Sequence, residues 1–142
     1  MKHVLKDCSH EFSETAVVHE VFALGEPEGT LFEIEFRLTF SYGFLEYGHN
    51  FVWLNEDIET LLVQLNEIGE EASGNLSALS PGVSFSYERY EHEPDTYFFS
   101  VFMDAGYINS YMGTDSGLGI TLRTTLEEIK EWFENFIQKK EG

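Results

Sequence analysis

A strict two-residue alternation from Leu31 to Phe40 is the feature that most constrains the fold of this 142-residue chain. Successive side chains of a β-strand point to opposite faces of its sheet, so this period predicts a strand with one buried face and one solvated face. The buried face would carry Phe32, Ile34, Phe36, Leu38 and Phe40, and the solvated face would carry Glu33, Glu35, Arg37 and Thr39.

The same reasoning predicts elements along the rest of the chain. Residues 17–24 form a strand that pairs with 31–40 through a turn at 25–29, and 45–53 form a third strand. Helical spacing of apolar residues then predicts a helix over 56–71 with Asn55 as its N-cap. The linker 70–81 is predicted to be a mobile loop.

In the second half, strands are predicted at 83–88, 96–104, 107–112 and 118–122. Residues 96–104 are apolar on both faces, which is typical of a central strand covered on two sides. Thr125 and Glu128 have the spacing of a capping box, and an apolar stripe follows to Ile137, so a closing helix is expected.

The order βββα-ββββα predicts an α+β fold with mostly antiparallel sheet, about six to seven strands and two amphipathic helices. The length predicts one domain over 1–142, with a flexible segment at 1–14. The likeness between the two halves is a hint of an ancient duplication.

Charge is the strongest indication of function. The chain has 26 acidic and 8 basic residues, and residues 7–75 hold 15 of the acids with Arg37 as their one basic residue. Such a surface repels phosphate backbones and anionic lipids, so binding to nucleic acid or a membrane is disfavoured. A cationic partner would be attracted instead. The alternative is that the acidity serves solubility alone.

Known catalytic and metal motifs do not fit the sequence. His3, Cys8, His10 and His19 lack zinc-site spacing, so no metal or cofactor is expected. Ser116 is one position late for a nucleophile elbow. A single cysteine and an N-terminus without an apolar signal predict a cytoplasmic protein.

Three segments together suggest a family. Residues 98–104, the glycine-marked strand 117–122 and the closing helix from Thr125 to Phe133 resemble the small acidic WapI-like immunity proteins of bacterial polymorphic-toxin systems. The likeness covers residues 30–138 in pattern and carries no diagnostic invariant residue. It implies a cytoplasmic, non-enzymatic protein that binds and blocks a cognate toxin, and it transfers no catalytic residues.

Tyrosines beside carboxylates are suited to gripping lysine and arginine. The hypothesis is therefore an acidic protein that neutralises a cationic toxin, such as a nuclease. The candidate contacts are Glu33, Glu35, Tyr42, Glu46 and Tyr47.

Two alternatives stay open. One is an enzyme or small-ligand binder with a pocket near Asp104, Tyr107 and the turn from Gly113 to Gly119. The other is a housekeeping subunit that forms homo-oligomers through exposed aromatic residues.

Overall fold

The computed structural model describes residues 1–68, 72–93, 95–110 and 116–137, which form an α+β fold with two antiparallel sheets. The first sheet and the helix after it comprise β1 (Lys2–Lys6), β2 (Ala16–Leu24), β3 (Glu33–Ser41), β4 (Glu46–Leu54) and α1 (Asn55–Asn66). The remaining elements are β5 (Ser73–Leu76), β6 (Val83–Arg89), β7 (Thr96–Asp104), α2 (Ala105–Ser110), β8 (Gly117–Thr125) and α3 (Leu126–Glu134). The predicted α+β class with antiparallel sheet is confirmed.

Each half of the chain has the same plan. The strands of both sheets follow one another in sequence order, β1-β2-β3-β4 and β5-β6-β7-β8, and each sheet is followed by a helix. Helices α1 and α3 pack against each other; α1 also contacts β4 and β5, and α3 contacts β1 and β8. The two helices therefore connect the two sheets.

The two helices also bury equivalent positions. Their N-caps are Leu54 and Thr125. Counted from these caps, the fourth, seventh and eleventh residues are buried in both helices: Ile58, Leu61 and Leu65 in α1, and Ile129, Trp132 and Phe136 in and just after α3. An apolar residue at each of these positions places one stripe against the core.

Aromatic rings join the sheets into one core. Trp53 of β4 and Phe85 of β6 make an edge contact, with ring centroids 6.2 Å apart. Phe136 stacks on Trp53 at 5.8 Å, and Phe133 meets Phe85 edge-on at 5.1 Å. Because edge-to-face and offset pairs are favourable beyond the area they bury, these contacts fix how both sheets pack on α3.

The structure has eight strands and three helices within its described residues, more than the sequence predicted. Residues 2–6, predicted to be flexible, pair with β2 as β1. Residues 73–76, predicted to lie in a loop, pair with β6 as β5. Both segments are short and lack a hydrophobic period of their own, so their neighbours in the sheet determine their conformation.

The predicted strand at 107–112 is wrong. Residues 105–110 form α2, because the carboxylate of Asp104 accepts the backbone N–H of Tyr107 and caps a helical turn. Residues 111 and 112 lie outside the described residues. The prediction that β7 is covered on both sides is also wrong, since Phe98 on its outer face is 36% exposed.

Helix α1 begins and ends earlier than predicted. It ends at Asn66 rather than 71, and residues 69–71 lie outside the described part. Its N-cap is Leu54, whose N–H is accepted by the carboxylate of Asp57. Asn55 is turned the other way, where its side chain bonds the backbone of Thr30 and Phe32.

Candidate functional site

The five predicted contact residues do not form one surface. Glu33 and Glu35 alternate with buried residues of β3, so both lie on the outer face of the first sheet, as predicted. Glu46 is opposite Ser41, at the other end of β3. The eight-residue separation of Glu33 and Ser41 is roughly 26 Å along a strand. The two glutamates of β3 and Glu46 therefore lie at opposite ends of one sheet face.

The two predicted tyrosine contacts, Tyr42 and Tyr47, do not share the outer face with the glutamates. Tyr47 is opposite the buried Phe40, so it projects from the inner face of the sheet at its margin. The hydroxyl of Tyr42 donates to the carbonyl oxygen of Gly119 at 3.1 Å, which ties the first sheet to β8. Burial raises the pKa of Tyr42. The structural role of Tyr42 is a link between the sheets.

Exposed apolar side chains lie near Glu33 and Glu35 on the adjacent strands. Val52 is the cross-strand neighbour of Glu35 on β4, and Ala23 is its neighbour on β2. Phe22 directly precedes Ala23 and is the extra residue of a β-bulge. Both Phe22 and Val52 are more than half exposed. We call the set Phe22, Glu33, Glu35 and Val52 the acidic-apolar patch.

The charges of this patch are not neutralised within the described residues. Neither Glu33 nor Glu35 has an ion pair there, and the preceding loop adds the exposed Glu26 and Glu28. Arg37, two residues further along β3, donates to the side-chain oxygen of Asn50. Because Glu35 lies between Ala23 and Val52 on the neighbouring strands, the patch presents carboxylates and exposed apolar side chains together.

Sequence reasoning missed Phe22 and Val52. A signal for Val52 was available, because it alternates with Phe51 and Trp53 and must face away from the core. No such signal existed for Phe22, because the bulge between Val21 and Ala23 interrupts the alternation. The tip of the β3–β4 hairpin also exposes Phe44, whose side chain is 92% exposed.

A groove of about 520 Å³ crosses the outer face of the first sheet beside the patch. Small side chains form its floor, and Arg37 lies across Gly48, where a Cβ would come within 2.9 Å of the guanidinium. The charged residues that line it are Lys2, Lys6, Glu14, Glu20, Arg37 and Glu46. Both signs are present, so the groove does not have the uniformly positive lining of a phosphate site.

The alternative site near Asp104 is a shallow depression of about 230 Å³, which Ser80, Gly82 and Tyr107 also line. The role of Asp104 there is structural, since its carboxylate caps α2. The turn residues 113–115 that belonged to this prediction lie outside the described residues.

The rings of His3 and His19 lie next to each other on the paired strands β1 and β2, with centroids 5.1 Å apart. The described residues contain no group of three or more His, Cys, Asp or Glu side chains that could hold a metal ion. His19 is buried and bonds the carbonyl oxygen of Trp132. Burial and the carboxylates of Glu128 and Asp7 raise the pKa of the Cys8 thiol, which disfavours the reactive thiolate.

No helix in the described ranges is long and apolar enough to cross a membrane. Comparison of the chain with models of protein families, with curated proteins and with solved structures finds no match.

Proposed function

We propose that the chain is a non-enzymatic acidic binding protein that binds and neutralises a cationic protein, in the manner of an immunity protein acting on a toxin domain. The observation that carries the proposal is the acidic-apolar patch. It combines the exposed side chains of Phe22 and Val52 with the carboxylates of Glu33 and Glu35, which have no ion pair among the described residues.

The two parts of the patch would contribute differently to binding. The net charge of −18 attracts a cationic partner over distance and raises the association rate, an effect that salt screens beyond about 10 Å. The apolar side chains act at contact, where burial of an aromatic or aliphatic group supplies most of the affinity. Binding is therefore expected to slow at high salt and yet persist.

The test begins with capture of basic proteins from a lysate of the source cells, washed at about 50 mM and about 500 mM salt. The captured protein is then purified and titrated against two double variants. Glu33→Lys with Glu35→Lys reverses the charge of the acidic-apolar patch. Glu59→Lys with Glu127→Lys makes the same change of net charge on exposed positions of α1 and α3.

We expect the patch variant to weaken binding at least tenfold, and the helix variant to change the dissociation constant about twofold or less. Equal weakening by both variants would show that bulk charge alone attracts the partner. Absence of any basic partner that survives the high-salt wash would contradict the proposal.

A further inference from the structure

The four sheet edges differ in how they are protected. Strand β5 has only four residues. Strand β1 has five residues, of which the first and last are lysines, and the indole N–H of Trp132 donates to the carbonyl oxygen of His3. Short strands, charges and coverage by other groups are the usual protections of an edge against pairing with another chain.

Strand β8 is nine residues long, and other parts of the chain occupy its edge. The carbonyl oxygen of Gly119 accepts the hydroxyl of Tyr42. The backbone of Arg123 donates to the carboxylate of Asp7 and accepts the N–H of Cys8. Three of its outward backbone groups, the carbonyl oxygen of Gly119 and both groups of Arg123, are therefore already bonded.

Strand β4 has little of this protection, since Glu46 at its first position is its only charged side chain. It is nine residues long, it contains no lysine, arginine or proline, and it pairs with β3 over its whole length without a bulge. On its other side the sheet ends. Among the other described elements, helix α1 contacts β4 at the junction where the strand ends and the helix begins.

The turn at the start of β4 fixes which backbone groups face this open edge. The N–H of Tyr42 donates to the carbonyl oxygen of Leu45 at 2.9 Å, which closes a two-residue loop in which Gly43 has φ +86°. Hydrogen-bonded and non-hydrogen-bonded pairs alternate in an antiparallel ladder. Counting from Tyr42 and Leu45, the outward positions are Glu46, Gly48, Asn50 and Val52.

Two further hydrogen bonds agree with this assignment of outward and inward positions. At the far end, the N–H of Leu54 leaves the ladder and donates to Asp57, and the carbonyl oxygen of Glu33, opposite Leu54, accepts the N–H of Gly25. The backbone groups of the four outward positions make no hydrogen bond to any other described residue outside the β3–β4 ladder. Such a row of free donors and acceptors is a template for an added strand.

The side chains around the edge define what strand would fit. On the outer face, Glu46 lies at one end, and Glu35 lies behind Val52 at the other. Between them Arg37 bonds Asn50. On the inner face, Tyr47 and the half-buried His49 leave an apolar margin. The matching strand is apolar on one face and basic at both ends of the other.

A second copy of this chain fits poorly. Two molecules of charge −18 repel each other. An antiparallel pair of β4 strands centred on Asn50 would also place the two Arg37 side chains in one cross-strand row, one on each side of the paired Asn50 residues. A strand from a cationic partner meets neither obstacle.

We infer that β4 binds an extended strand of the cationic partner, which adds to the first sheet as its fifth strand next to the acidic-apolar patch. This inference rests on the proposed function and specifies how the partner is held. Backbone pairing would supply affinity, and the carboxylates of Glu35 and Glu46 would select the basic strand.

The test uses synthetic nine-residue peptides. The probe peptide has valine at alternate positions, lysine at both ends of its other face and glutamate at the centre. A second peptide has the same side chains but carries N-methyl groups on the amides that would face β4, which removes the donors without changing charge. A third exchanges lysine and glutamate. Titrations are followed by NMR and by amide hydrogen exchange of the intact protein.

We expect the probe peptide to slow amide exchange at Glu46, Gly48, Asn50 and Val52 at least tenfold. N-methylation of the peptide is expected to weaken its binding by at least the same factor. Equal binding of the methylated peptide would overturn strand addition but leave charge-based binding intact. Failure of the probe peptide at millimolar concentration, while the captured partner still binds the patch, would overturn strand addition alone. Slowed exchange on concentrating the free protein, with dimers in sedimentation, would identify a second copy as the occupant and overturn the inference.

Discussion

The carboxylate of Asp57 accepts both the backbone N–H of Ser80, at 2.6 Å, and the hydroxyl of Ser80, at 2.8 Å. The same carboxylate accepts the N–H of Leu54 at 2.8 Å, where α1 begins. Asp57 is completely buried. One side chain therefore ends the first sheet, starts the helix and holds the segment that leads into β6.

Replacing Asp57 by alanine is expected to lower the free energy of unfolding by about 3 kcal/mol, because it leaves buried donors without an acceptor. Urea denaturation measures the change. Glu56→Gln, at the neighbouring exposed position, is the control and is expected to change stability by less than about 0.5 kcal/mol. Similar losses in both variants would show that the negative charge near the helix start, rather than the buried bonds, is what matters.

His19 is expected to make stability depend on pH. Its Nε2 lies 2.7 Å from the carbonyl oxygen of Trp132, its ring stacks on Phe136, and its Nδ1 has no hydrogen-bond partner among the described residues. Burial lowers the pKa of His19 from 6.5 to about 3, despite the opposing effect of the bond to Trp132. The neutral ring donates Nε2–H to that carbonyl oxygen.

Because the unfolded chain takes up this proton near pH 6.5 and the folded chain does so only near pH 3, acidification through that window favours unfolding. The residue contributes a slope of about 1.4 kcal/mol per pH unit. Urea denaturation at pH 7, 5.5 and 4.5 compares the native protein with His19→Phe. The variant is expected to be less stable at pH 7 and to lose less stability on acidification. Parallel pH curves would rule out a buried neutral histidine.

Gly82 is expected to tolerate no side chain. Its φ is +105°, and a Cβ there would lie 2.5 Å from Cδ1 of Tyr107. Gly82→Ala should therefore cost more than the roughly 1–2 kcal/mol of a positive φ alone. Gly29→Ala is the matched control, since Gly29 has φ +64° and no atom of the described residues lies within 4 Å of the added Cβ. Thermal unfolding measures the loss of stability in each variant. An equal loss in both would mean that the Tyr107 ring moves aside freely.

Asp7 is expected to attach the N-terminal segment to β8. Burial raises the pKa of Asp7, but hydrogen bonds from Ser9, from the backbone N–H of Arg123 and from Ser13 outweigh it and leave the pKa below its ordinary value. Asp7→Asn should cost about 1–3 kcal/mol at pH 7. Since a lowered pKa stabilises the fold only while the carboxylate is ionised, the difference from the native protein should shrink as the pH falls through that pKa. Thermal unfolding at pH 7 and pH 3 measures it, with the exposed Glu11→Gln as control; a difference that is constant with pH would contradict it.

Periodicity was sufficient for the long elements because burial of one face imposes it directly on the sequence. The alternation around Phe36 predicted β3, and the apolar spacing around Ile129 predicted α3. The positions of Glu33 and Glu35 on the outer face of the sheet followed from the same alternation.

Short elements and caps could not be predicted in this way. Residues 73–76 are a strand because their backbone pairs with β6, and residues 105–110 are a helix because Asp104 caps the turn. Propensity is a weak constraint on so few residues, and contacts distant in sequence override it.

The amino-acid sequence by itself determined the α+β class, the long strands, the amphipathic helices and the acidic surface, because these depend on local patterns of burial and charge. Only the tertiary structure decided that Glu46 lies far from Glu33, that Tyr42 links the sheets and that β4 is an open edge. These are relations between strands, set by register, by the two-residue loop and by which neighbours occupy each edge, and no local pattern in the chain encodes them.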